Sequence, residues 1–199
     1  MSQAMRKRLT FEQFLAWESR QEFKHEFVDG EPVAMAGASV GHNLIQTNLI
    51  SATVPKLRGT GCRTFTSDLL VRTGNDRGRY PDTTIDCGQL QPGDRVASEP
   101  RVVFEILSPE TQRHDRTIKL ADYNATPSIA HYVLIEQSVL LVHVYSRGPH
   151  GDFNLRPQEI RGLGGVVELP SVGISLTMAE IYDGLEVSPP PDEPELAVR

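Results

Sequence analysis

Several features are scarce in this sequence, and each scarcity excludes a class of protein. No run approaches the roughly 18 apolar residues of a membrane-spanning helix. The first residues lack the apolar centre of a signal peptide, so we expect a cytoplasmic protein with no membrane partner. The two cysteines, Cys62 and Cys87, are too few for a disulfide framework and lack metal-binding spacing. They are therefore expected to be reduced thiols.

An excess of positive charge is also missing. The 20 Lys and Arg residues against 26 Asp and Glu residues give a formal net charge of -6. This balance argues against a protein that coats nucleic acid non-specifically. Residues 186–199 are acidic and rich in proline, a composition typical of disordered tails. We expect one folded domain over residues 1–185 and a disordered tail over residues 186–199, since 199 residues suffice for one sizeable core.

Helical and strand patterns alternate along the chain and predict a mixed α/β domain. TFEQFLAWESR opens with a Thr10/Gln13 capping box, and SLTMAEIYDGL opens with a Thr177/Glu180 capping box, so both predict helices. HEFVDGEPVAMAG alternates around Asp29-Gly30 and predicts a β-hairpin. Apolar spacing predicts two more helices, one from SVGHNLI to near Gly59 and one at about 113–125. Strands are expected at 62–66, 69–73, 82–87, 101–107, 131–136 and 139–145.

One carboxylate interrupts the apolar strand pattern VVFEIL. A buried, unpaired Glu105 would cost several kcal/mol, so something must compensate its charge. Asp82 begins another strand pattern directly after Pro81 and would lie near Glu105 if the two strands were neighbours. A divalent cation such as Mg²⁺ between the two acids would remove their repulsion. The alternative is a buried salt bridge from Glu105 to Arg101, Arg113 or Arg116, and residue types alone do not separate the two.

Three segments, RYPDTTIDC, PRVVFEILSPET and DRTIKLADYNATPSIAHYVLI, resemble in order and spacing the Uma-type restriction endonuclease family of the PD-(D/E)xK nuclease superfamily. The resemblance extends over nearly the whole folded chain, from TFEQFLAW through HEFVDGEPVAM, GHNLI and FTSDLLVRT to AEIYDGL. It implies an α/β, restriction-endonuclease-like fold: a mixed central β-sheet flanked by helices, with an N-terminal helix and β-hairpin. It also implies a metal-dependent endonuclease that hydrolyses phosphodiester bonds of DNA.

The resemblance assigns roles to individual residues. Asp82 corresponds to the aspartate of the PD pair and Glu105 to the acid of the (D/E)xK tripeptide. The third tripeptide position is Leu107, so the catalytic cation must come from elsewhere, and Lys119 on the following helix is the candidate. The implied metal is Mg²⁺, with Mn²⁺ as a substitute. Its implied ligands are Asp82, Glu105, the Ile106 carbonyl and Glu26.

Four residues have an ordinary structural alternative to a role in the site. Lys119 could be a surface lysine paired with Asp115, four residues earlier on the helix. Glu26 alternates with Phe27 along its strand and could face solvent. Asp68 and His42 match polar positions of the family without a defined role. A turn hydrogen bond for Asp68 and a helix-capping position for His42 are the simpler explanations.

The implied partners are DNA and a second copy of the chain in a homodimer. Duplex DNA is favoured because no aromatic-rich platform for single strands is visible. A DNA substrate needs a positive surface despite the acidic total. A catalytically silent nucleic-acid-binding module, or a protein-interaction module on the same fold, is the alternative function. The cations available for DNA are Arg6, Lys7, Arg8, Arg72, Arg77, Arg79, Arg113 and Arg116.

Overall fold

The structure is a computed structural model that describes residues 8–35, 37–108 and 115–188. Its elements follow one another along the chain as helices and strands in mixed order. They are α1 (Phe11–Glu18), β1 (His25–Val28), β2 (Glu31–Ala34), α2 (Val40–Lys56), β3 (Arg63–Thr66), β4 (Val71–Arg72), β5 (Gly78–Arg79), β6 (Thr83–Asp86), β7 (Pro100–Leu107), a π-helical segment (Asp115–Lys119) running into α3 (Leu120–Asn124), β8 (His131–Glu136), β9 (Leu141–Ser146), β10 (Gln158–Arg161), β11 (Val166–Leu169), β12 (Ile174–Thr177) and α4 (Met178–Ile181).

A six-stranded sheet in the order β10-β9-β8-β7-β6-β3 forms the centre of the fold. The β7–β8 pair is parallel and the other neighbours are antiparallel, so the sheet is mixed, as expected. The chain covers it with few helices, which confirms the predicted mixed central sheet flanked by helices.

A second sheet, in the order β2-β1-β5-β4, packs with α1. Its β1–β2 hairpin turns at Asp29 and Gly30, whose φ angles are 51° and 82°. Two consecutive positive φ values are the requirement of a type I′ turn, which explains the Asp-Gly pair. The predicted N-terminal helix is also confirmed, with its Thr10/Gln13 capping box in place.

Strand β7 separates two apolar cores because its side chains alternate between the faces of the central sheet. Phe104 and Ile106 pack on the face covered by α2. Val103 and Leu107 pack on the opposite face, together with Tyr123 of α3. Glu105 has the same parity as Val103 and Leu107. Its carboxylate therefore lies on the side of the sheet where the π-helical segment and α3 pack.

Several sequence predictions need correction. The helix expected at 113–125 begins, within the described residues, as a π-helical segment. Strands β5, β10, β11 and β12 were not predicted. β10 buries one of its four side chains and so shows almost no apolar alternation. Residues 189–199 of the expected tail lie outside the described residues.

The expectation of reduced thiols is wrong, because Cys62 and Cys87 form a disulfide. Arg63 pairs with Asp86 in the antiparallel β3–β6 register, which places the two cysteines opposite each other just beyond the strand ends. Their Cα atoms are 4.0 Å apart. The pairing depends on strand register, which their spacing along the chain does not reveal.

Within the described ranges, no helix is both long and apolar enough to cross a bilayer.

Candidate active site

The sheet brings Asp82 and Glu105 together. Thr83, the first residue of β6, pairs with Phe104 in the antiparallel β6–β7 register. Asp82, the residue directly before β6, therefore stands opposite Glu105. Directly opposite residues of antiparallel strands project from the same face of a sheet. The Ile106 amide donates to Asp82 Oδ2 at 2.7 Å and fixes the Asp82 carboxylate against β7.

The Glu105 carboxylate is buried and receives two donors on one oxygen. Its residue is only 3% exposed. Lys119 Nζ lies 2.9 Å from Glu105 Oε1, and the Tyr123 hydroxyl donates to the same atom at 2.7 Å. Glu105 forms a buried salt bridge with Lys119, a partner that the predicted alternative did not include. Of the arginines considered, Arg116 pairs with Glu136, Arg101 pairs with Glu99, and Arg113 lies outside the described residues.

Lys119 reaches this position from the end of the π-helical segment. Lys119 and Tyr123 are four residues apart and share a helix face, since both contact Glu105 Oε1. The Arg116 guanidinium, three residues before Lys119, contacts Glu136 and lies 3.2 Å from His143 Nε2. The wider turn of a π-helix changes the angle between residues before and after Lys119. The ammonium consequently faces inward, and its side chain is 11% exposed.

Glu26 belongs to this site, and the solvent-facing alternative is wrong. Its residue is 9% exposed, and Arg79 Nη1 donates to Oε2 at 2.7 Å. The other oxygen, Oε1, is buried, accepts no hydrogen bond from the described residues and lies 3.7 Å from Lys119 Nζ. Arg79 also binds Asp122 of α3, with Nη2 at 2.6 Å and Nε at 2.9 Å from Oδ2. The β1–β2 hairpin is thereby connected to the helix that carries Lys119.

His42 contacts the site, whereas Asp68 does not. His42 Nε2 lies 3.1 Å from Asp82 Oδ2, and its backbone amide is capped by the Ser39 hydroxyl. The predicted helix-capping position of His42 is therefore confirmed, and its side chain also contacts the Asp82 carboxylate. Asp68 is largely exposed and pairs with Lys24 at 2.5 Å, which lowers the pKa of its carboxyl.

One of the cations expected to contact DNA does not lie on the surface. Arg79 is completely buried, so it cannot reach a substrate on the surface. Arg77 is partly exposed and pairs with Asp29 and Asp122. Arg72 is more exposed and lies over the Phe11 ring at 4.4 Å. Arg6, Lys7 and Arg113 lie outside the described residues.

The oxygen donors of the site are of the type that Mg²⁺ prefers. Both contacts of the Asp82 carboxylate with described residues use Oδ2, and Glu26 Oε1 is buried without a hydrogen bond. No group of three or more His, Cys, Asp or Glu side chains in the described residues is arranged to hold a metal ion. Mg²⁺ is commonly held by one or two carboxylates together with substrate phosphates and water. The neighbouring Asp82 and Glu105 fit that mode of binding.

Burial controls the protonation of Tyr123. Desolvation, and then the nearby Glu105 carboxylate, raise the pKa of the Tyr123 hydroxyl well above its usual value of 10.0. The hydroxyl therefore stays protonated at any working pH and acts as a hydrogen-bond donor to Glu105.

Two residues of the site were missed or misassigned by sequence reasoning. Sequence reasoning gave Tyr123 no role in the site, although its spacing of four from Lys119 could have suggested a shared target. Asp122 carried no signal, because its partner Arg79 is 43 residues away along the chain.

The mixed sheet, with two acids on adjacent strands and a lysine beside one of them, defines a restriction-endonuclease-like nuclease fold. A solved structure described as a "putative nuclease belonging to DUF820" from Anabaena variabilis ATCC 29413 matches this fold. Its TM-score is 0.69 at 19% identity, over 87% of this chain and 97% of that chain.

The chain belongs to the Uma2 family, described as "Putative restriction endonuclease", whose model matches residues 11–179. Two relatives come from Synechocystis sp. (strain ATCC 27184 / PCC 6803 / Kazusa). The uncharacterized protein slr1290 is 32% identical over 183 residues, covering 89% of this chain and 93% of the relative. The uncharacterized protein sll1609 is 27% identical over 148 residues, covering 72% and 84%.

Proposed function

We propose that this protein is a Mg²⁺-dependent endonuclease that hydrolyses phosphodiester bonds of DNA. The observation that carries the proposal is the 2.9 Å contact between Lys119 Nζ and Glu105 Oε1, on the strand next to Asp82. It places a cation beside a pair of acids although Leu107 occupies the tripeptide's lysine position. Membership of the Uma2 family supports a nuclease function for this arrangement.

The proposed roles follow from the positions of the side chains. Asp82 and Glu105 would hold the metal, with the Ile106 carbonyl and Glu26 as further oxygen ligands. When bound, the metal would make water a stronger nucleophile at neutral pH and offset negative charge on the phosphate. Lys119 would orient the attacking water and stabilise the charge that develops in the transition state. Tyr123 and the Ile106 amide would keep the two acids in place.

Duplex DNA is the proposed substrate. Phe23 is the one aromatic side chain among the largely exposed hydrophobic residues of the described chain. A platform for unpaired bases usually needs several stacked aromatic side chains. A homodimer would allow both strands of a duplex to be cut, and the mass of the protein in solution would test this.

A cleavage assay on the purified protein tests the proposed function. Supercoiled plasmid and a labelled linear duplex are incubated with Mg²⁺, with Mn²⁺ or with chelator. We expect nicked or linear products with either metal and none with chelator.

Two variants make the assay specific to this site. Asp82→Asn should remove cleavage, whereas Asp68→Asn, which changes an exposed acid paired with Lys24, should cleave like wild type. Intact substrate under all metal conditions, from a folded wild-type protein, would favour the catalytically silent module. Cleavage that survives Asp82→Asn would point to a contaminating nuclease.

A further inference from the structure

We propose that Arg79 is a positioning residue, which holds Glu26 with one side of its guanidinium and the Lys119 helix with the other. This inference rests on the proposed nuclease function. Arg79 is 0% exposed. Its Nη1 atom binds Glu26 Oε2 at 2.7 Å, and its Nε and Nη2 atoms bind Asp122 Oδ2 at 2.9 and 2.6 Å.

The three residues of this ion-pair cluster come from three separate parts of the fold. Glu26 lies in β1, Arg79 in β5 and Asp122 in α3. Charges taken out of water are tolerated only when well paired, so these groups stabilise one another only in their present arrangement. Arginine suits this position because its planar fork presents donors in two directions, whereas a lysine ammonium is a single point charge.

This arrangement determines whether the Lys119 ammonium pairs with Glu105 or with Glu26. Arg79 neutralises Glu26 through Oε2, and Lys119 remains 3.7 Å from the other oxygen of Glu26. Lys119 is then closer to Glu105, at 2.9 Å. Without Arg79, Lys119 would be the remaining cation that the described residues place beside the buried Glu26 carboxylate, and it would be drawn away from Glu105.

Asp122 transmits the same constraint through the helix. It lies three residues after Lys119 and directly before Tyr123, the second donor to Glu105. The two hydrogen bonds from Arg79 to Asp122 therefore fix the helical turn that presents both donors. Arg79 acts on the site through Glu26 and Lys119, without reaching the substrate.

The Arg79→Lys variant tests this role by steady-state kinetics. It keeps the charge but cannot bind both carboxylates. We expect kcat to fall at least tenfold while KM for DNA and its dependence on salt stay unchanged. A DNA-contacting arginine would instead raise KM and leave kcat unaltered. That result would overturn the proposal, as would wild-type kinetics.

The Cys62→Ser/Cys87→Ser double variant is the control for general loosening, since it removes the disulfide at the end of β6 opposite Asp82, away from the helix that carries Lys119. We expect it to lower the melting temperature and to leave kcat unchanged at a temperature where it is folded. An equal fall in kcat for both variants would show that general loosening explains the effect, against the proposal.

A second comparison asks whether Arg79 acts through Lys119. In a Lys119→Ala background, Arg79→Lys should change kcat by less than twofold, because the group that it positions is gone. Full additivity of the two effects on kcat would contradict the proposal. Should Arg79→Lys not fold, Asp122→Asn loosens the same contact and is expected to show the same loss of kcat.

A readout without metal or DNA separates this inference from the nuclease function. Brief acylation followed by mass spectrometry measures how fast each lysine reacts. Arg79→Lys should speed labelling of Lys119 severalfold and leave Lys56, which pairs with Glu180, unchanged. Equal increases at both lysines would overturn the positioning role. A wild type without cleavage, with faster Lys119 labelling in the variant, would refute the nuclease function and leave the positioning of Lys119 standing.

Discussion

Glu105 is tolerated in an apolar strand because its Oε1 atom binds the Lys119 ammonium and the Tyr123 hydroxyl. A buried carboxylate with charged and neutral donors is far less costly than an isolated one. Compensation by Lys119 does not remove the case for a metal, because Asp82 lies opposite on the next strand. The two acids and one lysine retain a net negative charge that a divalent cation would offset.

The Glu105→Gln variant should lose metal-dependent cleavage and still fold. The amide oxygen can still accept from Tyr123, but the charge needed to hold Mg²⁺ is gone. Loss of the attraction to Lys119 is partly offset by weaker repulsion from Asp82. Glu26 also remains near Lys119, so we expect a loss of unfolding free energy well below the roughly 3–5 kcal/mol of a broken buried ion pair, measured by urea denaturation in chelator. A loss of about 4 kcal/mol would show that Glu105 serves the fold rather than the metal.

The Lys119→Ala variant should reduce kcat by about 10²-fold or more, the scale of losing one electrostatic stabiliser of the transition state. Mg²⁺ affinity, measured by calorimetry, should change little because Lys119 is not a ligand. Lys56→Ala is the control, since it removes a lysine paired with Glu180 away from the site. Unaltered cleavage by Lys119→Ala would show that another group performs this task.

Among the elements, β8 places a histidine where burial keeps it neutral. Desolvation, and then Arg101, lower the pKa of His131 from 6.5 to about 4. The unfolded chain therefore binds a proton near pH 6.5 that the folded chain binds only near pH 4. Stability is fully present above pH 6.5 and is lost as the pH falls through this window.

The His131→Gln variant should reduce this acid sensitivity. At about 1.4 kcal/mol for each pKa unit, the lowered pKa of His131 should reduce the free energy of unfolding by about 2 kcal/mol between pH 7 and pH 5. Urea denaturation at both pH values measures the difference in unfolding free energy between pH 7 and pH 5. This difference should be about 2 kcal/mol smaller in the variant than in wild type. Exposed His150→Gln is the control and should leave the difference unchanged. An unchanged difference in His131→Gln would show that other groups cause the acid sensitivity.

The elements near the site were largely predictable, because their signals are local. The Asp29-Gly30 turn, the Thr10/Gln13 capping box and the apolar β7 strand each depend on adjacent residues. The approach of Asp82 to Glu105 was expected from two strand patterns, if those strands were neighbours, and from the family resemblance. The burial of Arg79 could not be predicted, because it depends on partners 53 and 43 residues away in the chain.

At the scale of the whole molecule, the disulfide ties one end of the β3–β6 pair. Cys62 and Cys87 are separated by 25 residues, and closing a loop of this size stabilises a protein by about 3 kcal/mol in the chain-entropy model. Cys87 lies five residues along the chain from Asp82, which is roughly 15 Å in an extended strand. The covalent link and the proposed active site therefore lie at opposite ends of β6.

The Cys62→Ser/Cys87→Ser double variant should be less stable by about 2–4 kcal/mol, with cleavage at 25 °C unchanged. Thermal melting of both proteins with and without reductant measures the first effect. Reductant should lower the melting temperature of wild type only. Equal melting of wild type with and without reductant would mean that the link adds no stability.

The π-helical turn before Lys119 gives the chain a spare residue beside the proposed active site. A π turn holds one residue more than an α turn, and each residue of an α-helix rotates the chain by about 100°. One residue lost between Asp115 and Lys119 would turn the segment into a regular helix, while Lys119 and Tyr123 keep their spacing of four. One residue lost between Lys119 and Tyr123 would rotate the lysine by about 100° relative to Tyr123, and the two donors would no longer meet at Glu105. A lost codon is therefore tolerated on one side of Lys119 and silences the proposed chemistry on the other.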